Sequence, residues 1–295
     1  MISEVSMKPR KDWLRRNTLH NALHRSKTGR RLLIRFLLPL LLVGIWQAGA
    51  IALNKPVILP RLDTVMDVLI HPTAKTLIAG SLLLNTVISL VRVLMGFLIA
   101  ASLAVPLGIW MGHSAVADSF FDSAIELIRP IPPLAWMPLI LAWLGIKGLS
   151  DWMPQLLGNA VLSHIQFGNL TIITIGAFFP MLLSTVQGVK GIPAEYIESA
   201  RTLGARRSSL LFKVLIPASL PSILTGLRIG MGVGWMCLVG AEMMPGSSAG
   251  LGYLIWYAYE LLHTEIIVAG MLIVGLIGFS MDRGFKVLES TFSRR

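Results

Sequence analysis

Residues 170–217 read LTIITIGAFFPMLLSTVQGVKGIPAEYIESARTLGARRSSLLFKVLIP. The first part, Leu170–Val189, is charge-free and uniformly apolar. An α-helix needs about 20 such residues to cross a hydrocarbon core about 30 Å thick. The second part changes character at Lys190 and carries Arg201, Arg206, Arg207 and Lys213. A basic loop hung from an apolar span predicts an α-helical membrane protein.

The rest of the chain extends this pattern. Hydrophobic residues make up 54% and charged residues 14%, against roughly 25% charged in a soluble domain. A water-soluble fold of this size cannot hide that much apolar surface. Further spans are predicted at about Leu32–Leu53, Val87–Gly112, Ile125–Ile146, Leu220–Met243 and Ile266–Asp282. With Leu170–Val189 the reading is an all-α membrane protein of about six transmembrane helices. Its parts are a basic N-terminal tail at 1–31, a transmembrane domain at 32–290 containing the 190–217 loop, and a short tail at 291–295. Ala48-Gly-Ala50 resembles a leader cleavage site, but the basic region before it is far longer than a leader's, so a retained span is expected. The polar-apolar stretch Trp152–Gly168 is read as an interfacial or periplasmic segment.

Charge distribution orients these spans. Ten of the 26 Lys/Arg lie in residues 1–35, five in 190–213 and four in 282–295. The opposite loops hold Lys55, Arg61, Lys75 and Lys147. Excess Lys/Arg marks the cytoplasmic side, so both termini and the 190–213 loop are expected there. The net charge of +11 is thus a membrane-flank signature and not a nucleic-acid footprint.

Two spans carry special chemistry. Arg129-Pro-Ile-Pro-Pro-Leu-Ala-Trp-Met-Pro138 holds four prolines. Each removes a backbone donor, and freed backbone groups survive in a membrane only inside protein or beside water. Gly226, Gly230 and Gly234 fall on one helix face, where small residues let backbones approach. No phosphate loop of the form G-x-x-x-x-G-K-[ST] occurs, so the chain is not expected to hydrolyse ATP. The six histidines are scattered, the single cysteine, Cys237, sits in an apolar run, and no metal or catalytic grouping is predicted.

The loop itself predicts two short helices. Pro193 favours a helix start, and residues 194–203 place Tyr196, Ala200 and Leu203 on one face. Gly204 is a good stop. A second helix at about Arg207–Leu215 leads to Pro217. Physical reasoning leaves two readings of this unit: a knob for a cytoplasmic protein, or an amphipathic interface helix.

The pattern E-x-A-x₃-G-x₉-[aliphatic]-x-[aliphatic]-P, filled by Glu198, Ala200, Gly204, Val214, Ile216 and Pro217, resembles the signature loop of ABC-importer permease subunits. Ser199 stands where the family usually has alanine. The stretches Ser89–Phe97, Arg129–Pro138, Gly226–Trp235, Ala241–Met244 and Gly250–Ile255 resemble the nitrate/sulfonate/taurine/bicarbonate branch. The segment between Gly145 and Thr171 is longer than that branch usually shows.

This resemblance implies a permease subunit of the bacterial inner membrane, paired with a second permease subunit. A periplasmic binding protein would deliver a small anion, and cytoplasmic ABC ATPase subunits would use ATP. No cofactor is implied in this chain. Glu198, Ala200, Gly204 and Pro217 would form the coupling helix and loop that meet the ATPase. Arg129, Trp136, Trp235 and Glu242 are candidates for lining the pathway. The rival reading is a standalone secondary transporter, which usually shows internal repeats and intramembrane ionisable residues.

Overall fold

The computed structural model describes residues 37–74, 79–152 and 161–292. The basic tail at 1–31 lies outside the described residues. The described part is helical, with one isolated antiparallel bridge between Gly148 and Gln166. The chain divides into two units, Met1–Leu62 and Asp63–Arg295.

In the first unit, α1 (Leu37–Leu53) is apolar throughout most of its length. At 17 residues it measures about 26 Å, shorter than a full span. Residues 32–36 of the expected first span are not among the described ones. The chain after α1 turns back along it. The Trp46 indole N–H donates to the Pro60 carbonyl (3.1 Å), and the Leu62 N–H donates to the Gln47 side chain (2.9 Å).

The second unit takes in α2 (Leu62–Ile70) from Asp63 onward and is built around three long helices. These are α3 (Leu82–His113), α7 (Phe167–Lys190) and α10 (Ile216–Glu242). Between α3 and α7 lie α4 (Ala115–Ile128), α5 (Met137–Leu144) and the one-turn α6 (Leu149–Trp152). α8 (Ala194–Thr202) and α9 (Arg207–Leu210) form the loop before α10, and α11 (Leu251–Glu260) and α12 (Thr264–Phe292) follow it.

Helix α7 is the centre of the packing. It contacts α3 on one side and α10 on the other, and Ile173, Ala177, Met181 and Leu182 are fully buried there. Small residues set the close approach. A Cβ added at Gly226 would lie 2.6 Å from the Ser184 Cβ, and one at Gly230 would lie 2.7 Å from Met181. Gly234 is looser, with its nearest atom at 3.4 Å. The glycine face read in the sequence is therefore the α10 surface that meets α7.

The expected third span is not a single helix. α4 and the Pro133–Leu144 helical pair are bent by 83° at a short break. Pro130, Pro132 and Pro133 supply no N–H groups there, so a continuous hydrogen-bond ladder is lost. Among the described residues, four helical runs are long and apolar enough to cross a membrane, and the bent pair makes a fifth. Six full spans are therefore not reached within the described residues.

The described ends of the Gly145–Gln166 segment lie side by side. They are tied by the Leu149 N–H to the Ile165 carbonyl (2.9 Å) and the Phe167 N–H to the Lys147 carbonyl (3.2 Å). Residues 153–160 of the Trp152–Gly168 segment expected to be interfacial lie outside the described residues.

Candidate functional site

The loop after α7 folds as a capped helix on a small apolar base. Pro193 is its N-cap, in extended conformation, and Ala194 begins the helix. Leu203 ends it, and Gly204 adopts φ +79°, a left-handed conformation costly for a side-chain-bearing residue. The Gly204 N–H donates to the Arg201 carbonyl (2.9 Å) and the Ala205 N–H to the Ala200 carbonyl (3.0 Å). This double closure satisfies the last carbonyls of α8.

The base consists of buried Val189, Ile192, Leu210 and Leu215, with Ile109, Ile197 and Ala200 packed against it. It ties the α8 loop to the ends of α3, α7 and the run into α10. Ala200 thus faces inward, while Tyr196 (65% exposed) and Leu203 (88% exposed) face outward. The single face expected for these three residues is divided: Ala200 packs on the base and the other two are exposed. Glu198, Gly204 and Pro217 are exposed. The surface of α8 is therefore held rigidly from below and free above.

At the opposite ends of these helices lies a buried charged cluster. Arg92 on α3 and Glu242 at the end of α10 are both 0% exposed and paired at 2.8 Å. Glu242 also accepts from the Ser89 hydroxyl (2.8 Å) and the Gly252 N–H (3.0 Å). Arg92 also donates to the carbonyls of Ala249 (2.7 Å) and His164. Ser89 in turn accepts from the Leu251 N–H (2.8 Å), and Asn85 from the Gly250 N–H (2.7 Å). About two turns of α3 thereby gather the end of α10, the start of α11 and the 161–166 turn.

Burial and the nearby Arg92 guanidinium hold the His164 imidazole below its ordinary pKa, burial being the larger cause. His164 Nδ1 lies 3.2 Å from the Ser248 hydroxyl.

The four pathway candidates separate. Arg129 lines a cavity of about 450 Å³ beside α7 and α10. Trp136 is partly buried in the packing of α5 against Ile172 and Cys237, and its indole N–H has no partner among the described residues. Trp235 is 4% exposed and donates to the Val274 carbonyl on α12 (3.2 Å), a packing position. Glu242 is consumed by the cluster just described. Ser89, Arg92 and Asn85 were not among the candidates. The signal available for them was a lone Arg and a lone Glu of opposite sign in apolar stretches.

The sequence pattern of the family described as "Binding-protein-dependent transport system inner membrane component" matches residues 104–294. The chain belongs to this family. It is an ABC transporter permease with several membrane-spanning helices. A Methanocaldococcus jannaschii protein named as an ABC transporter permease is 51% identical over 89% of this chain and 92% of its own length. The taurine transport system permease protein of Escherichia coli is 33% identical, covering 85% of each chain. The bicarbonate transport system permease protein of Synechococcus elongatus is 32% identical, covering 81% of each. Further relatives at similar identity are named for aliphatic sulfonates and for nitrate. The permease's matched region contains α8, its base and Glu242, whereas Asn85, Ser89 and Arg92 precede it.

Proposed function

We propose that this permease is the membrane subunit of an ATP-driven importer for a small oxyanion such as nitrate, bicarbonate, taurine or another sulfonate. It works in the inner (plasma) membrane with both termini cytoplasmic, as a pair with a second permease subunit. A periplasmic binding protein supplies the cargo, and a separate cytoplasmic ATPase hydrolyses ATP.

The observation that carries this reading is the geometry of α8. An exposed Glu198, Tyr196 and Leu203 stand on an apolar base that is continuous with α3, α7 and α10. A push on α8 is passed to those helices as a rigid displacement, because close-packed apolar contacts resist compression. ATP drives transport only if the ATPase holds two permease conformations with different affinity. A capped helix rooted in three spans suits that role, whereas a lipid-surface helix needs no such root. The relatives' names converge on cargo with a compact oxyanion head, which supports the substrate class.

The test is uptake by cells expressing the permease together with a partner ATPase and binding protein. The proposal expects ATP-dependent accumulation of at least one of nitrate, bicarbonate and taurine, abolished by Glu198→Lys. Uptake that persists without the ATPase would instead support a secondary transporter.

A further inference from the structure

We propose that Arg129 is an anion-binding station within the transport pathway, its guanidinium holding the oxyanion head of the cargo in transit. This rests on the importer reading above. The cavity of about 450 Å³ that Arg129 lines is otherwise walled by Phe179, Ile229 and Val233, with Ser184 and Gln187 as polar members. It is large enough for a small oxyanion with several waters, each occupying about 30 Å³ in the liquid.

The depth of the site follows from the broken span. A Cβ on Gly176 would sit 3.7 Å from Pro133 Cγ. Gly176 lies about 14 Å into a helix about 36 Å long. The break, and Arg129 four residues before Pro133, therefore sits towards the middle of the spans and not at a loop tip.

Arg92 and Arg228, two other arginines of the spans, are treated differently from Arg129. Arg92 is neutralised by Glu242 at 2.8 Å, and Arg228 by Glu289 at 3.0 Å. The Arg129 backbone N–H donates to the Ile125 carbonyl (2.9 Å), but its guanidinium makes no ion pair or hydrogen bond among the described residues, although Glu126 lies one turn before it on α4. A cation placed at membrane depth without an acidic partner calls for an anion, because an isolated charge is poorly tolerated in an apolar setting. Guanidinium offers a planar fork of donors that matches an oxyanion through two parallel hydrogen bonds. The Ser184 hydroxyl and the Gln187 amide supply further donors on the facing wall. The apolar remainder strengthens the attraction by lowering the local dielectric. The same fork serves nitrate, bicarbonate and sulfonate, so the station selects for negative charge and paired acceptor oxygens and leaves finer choice to other parts of the system.

The test is charge-selective cysteine labelling in isolated membranes. Gln187→Cys, in a background with Cys237→Ala, is treated with an anionic sulfonatoethyl or a cationic trimethylammonioethyl methanethiosulfonate. With Arg129 present the anionic reagent is expected to be favoured. Arg129→Gln is expected to lower the anionic-to-cationic rate ratio at least about five-fold, since focused fields change local ion concentrations by factors of ten and more. Arg129→Lys is expected to retain most of the ratio. An unchanged ratio in Arg129→Gln overturns the proposal. Should Arg129→Gln fail to reach the membrane, Gln187→Glu decides by nitrate, bicarbonate and taurine uptake: a loss of ten-fold or more supports the station, and unaltered uptake sinks it. Absence of ATP-driven uptake in the unmodified permease defeats the importer reading, whereas a labelling ratio indifferent to Arg129 defeats only this one.

Discussion

Replacing Glu242 by Gln removes the carboxylate that, among the described residues, pairs with a fully buried guanidinium. Four contacts are affected: the Arg92 pair at 2.8 Å, the Ser89 hydroxyl at 2.8 Å to each oxygen, and the Gly252 N–H at 3.0 Å. Gln keeps one acceptor oxygen, so it can satisfy Arg92 or Gly252 but not both. Its amide NH₂ then faces a donor. Breaking a buried pair by removing one partner costs about 3–5 kcal/mol. Arg92 keeps the Ala249 and His164 carbonyls, which points to the lower end, about 3 kcal/mol. At about 2–4 °C per kcal/mol for a domain of this size, the apparent Tm is expected to fall by roughly 6–12 °C. The assay is the fraction of detergent-extracted permease that stays monodisperse after heating. A double variant, Arg92→Met with Glu242→Met, removes both charges and is expected to be more stable than Glu242→Gln alone. A Glu242→Gln protein within about 2 °C of the unmodified permease would refute the reasoning, as would a double variant less stable than the single one.

Three further outcomes follow from the packing and the caps. Gly230→Val forces a side chain to within 2.7 Å of Met181 and 2.9 Å of the Ala177 carbonyl, and is expected to cost about 1–3 kcal/mol, whereas Gly234→Ala, at 3.4 Å, is expected to be tolerated in the same heating assay. Gly204→Ala meets open space but must hold φ +79°, so a loss of about 1 kcal/mol is expected, read as faster protease nicking of the 190–217 loop. Because the folded protein holds His164 below its ordinary pKa, the fold disfavours its protonation; that stability is present above about pH 6.5 and is lost as pH falls through the lowered value. Heating curves at pH 7.5 and pH 5 are expected to diverge, and His164→Asn is expected to narrow the difference.

The long helices were plain in the sequence because their apolar runs are uninterrupted. The run Leu170–Val189 became α7, Phe167–Lys190, and the run after Arg92 ended with α3 at His113. Pro193 and Gly204 marked the ends of α8 because both act through local backbone geometry. The break at 129–133 was visible as prolines but its 83° angle was not, since proline removes a donor without dictating where the chain goes next. The Arg92–Glu242 pair was hidden for a different reason. The partners lie 150 residues apart, and a charge near a span end is also consistent with reaching the lipid interface. Trp235 carried the same ambiguity: an aromatic beside glycines suits a pathway or a packing face, and only the Val274 carbonyl on α12 decides for packing.

The central claim is that α8 meets an ATPase, and site-specific crosslinking tests it most directly. A photo-reactive residue at Leu203, the most exposed apolar position of the loop at 88%, reports contact without altering the base. Co-expression with the partner ATPase is expected to give one crosslinked product whose yield changes when ATP is trapped, and which disappears with Glu198→Lys. A Leu203 probe that captures only lipid, or an ATPase that remains soluble and uncrosslinked beside a folded permease, would contradict the account.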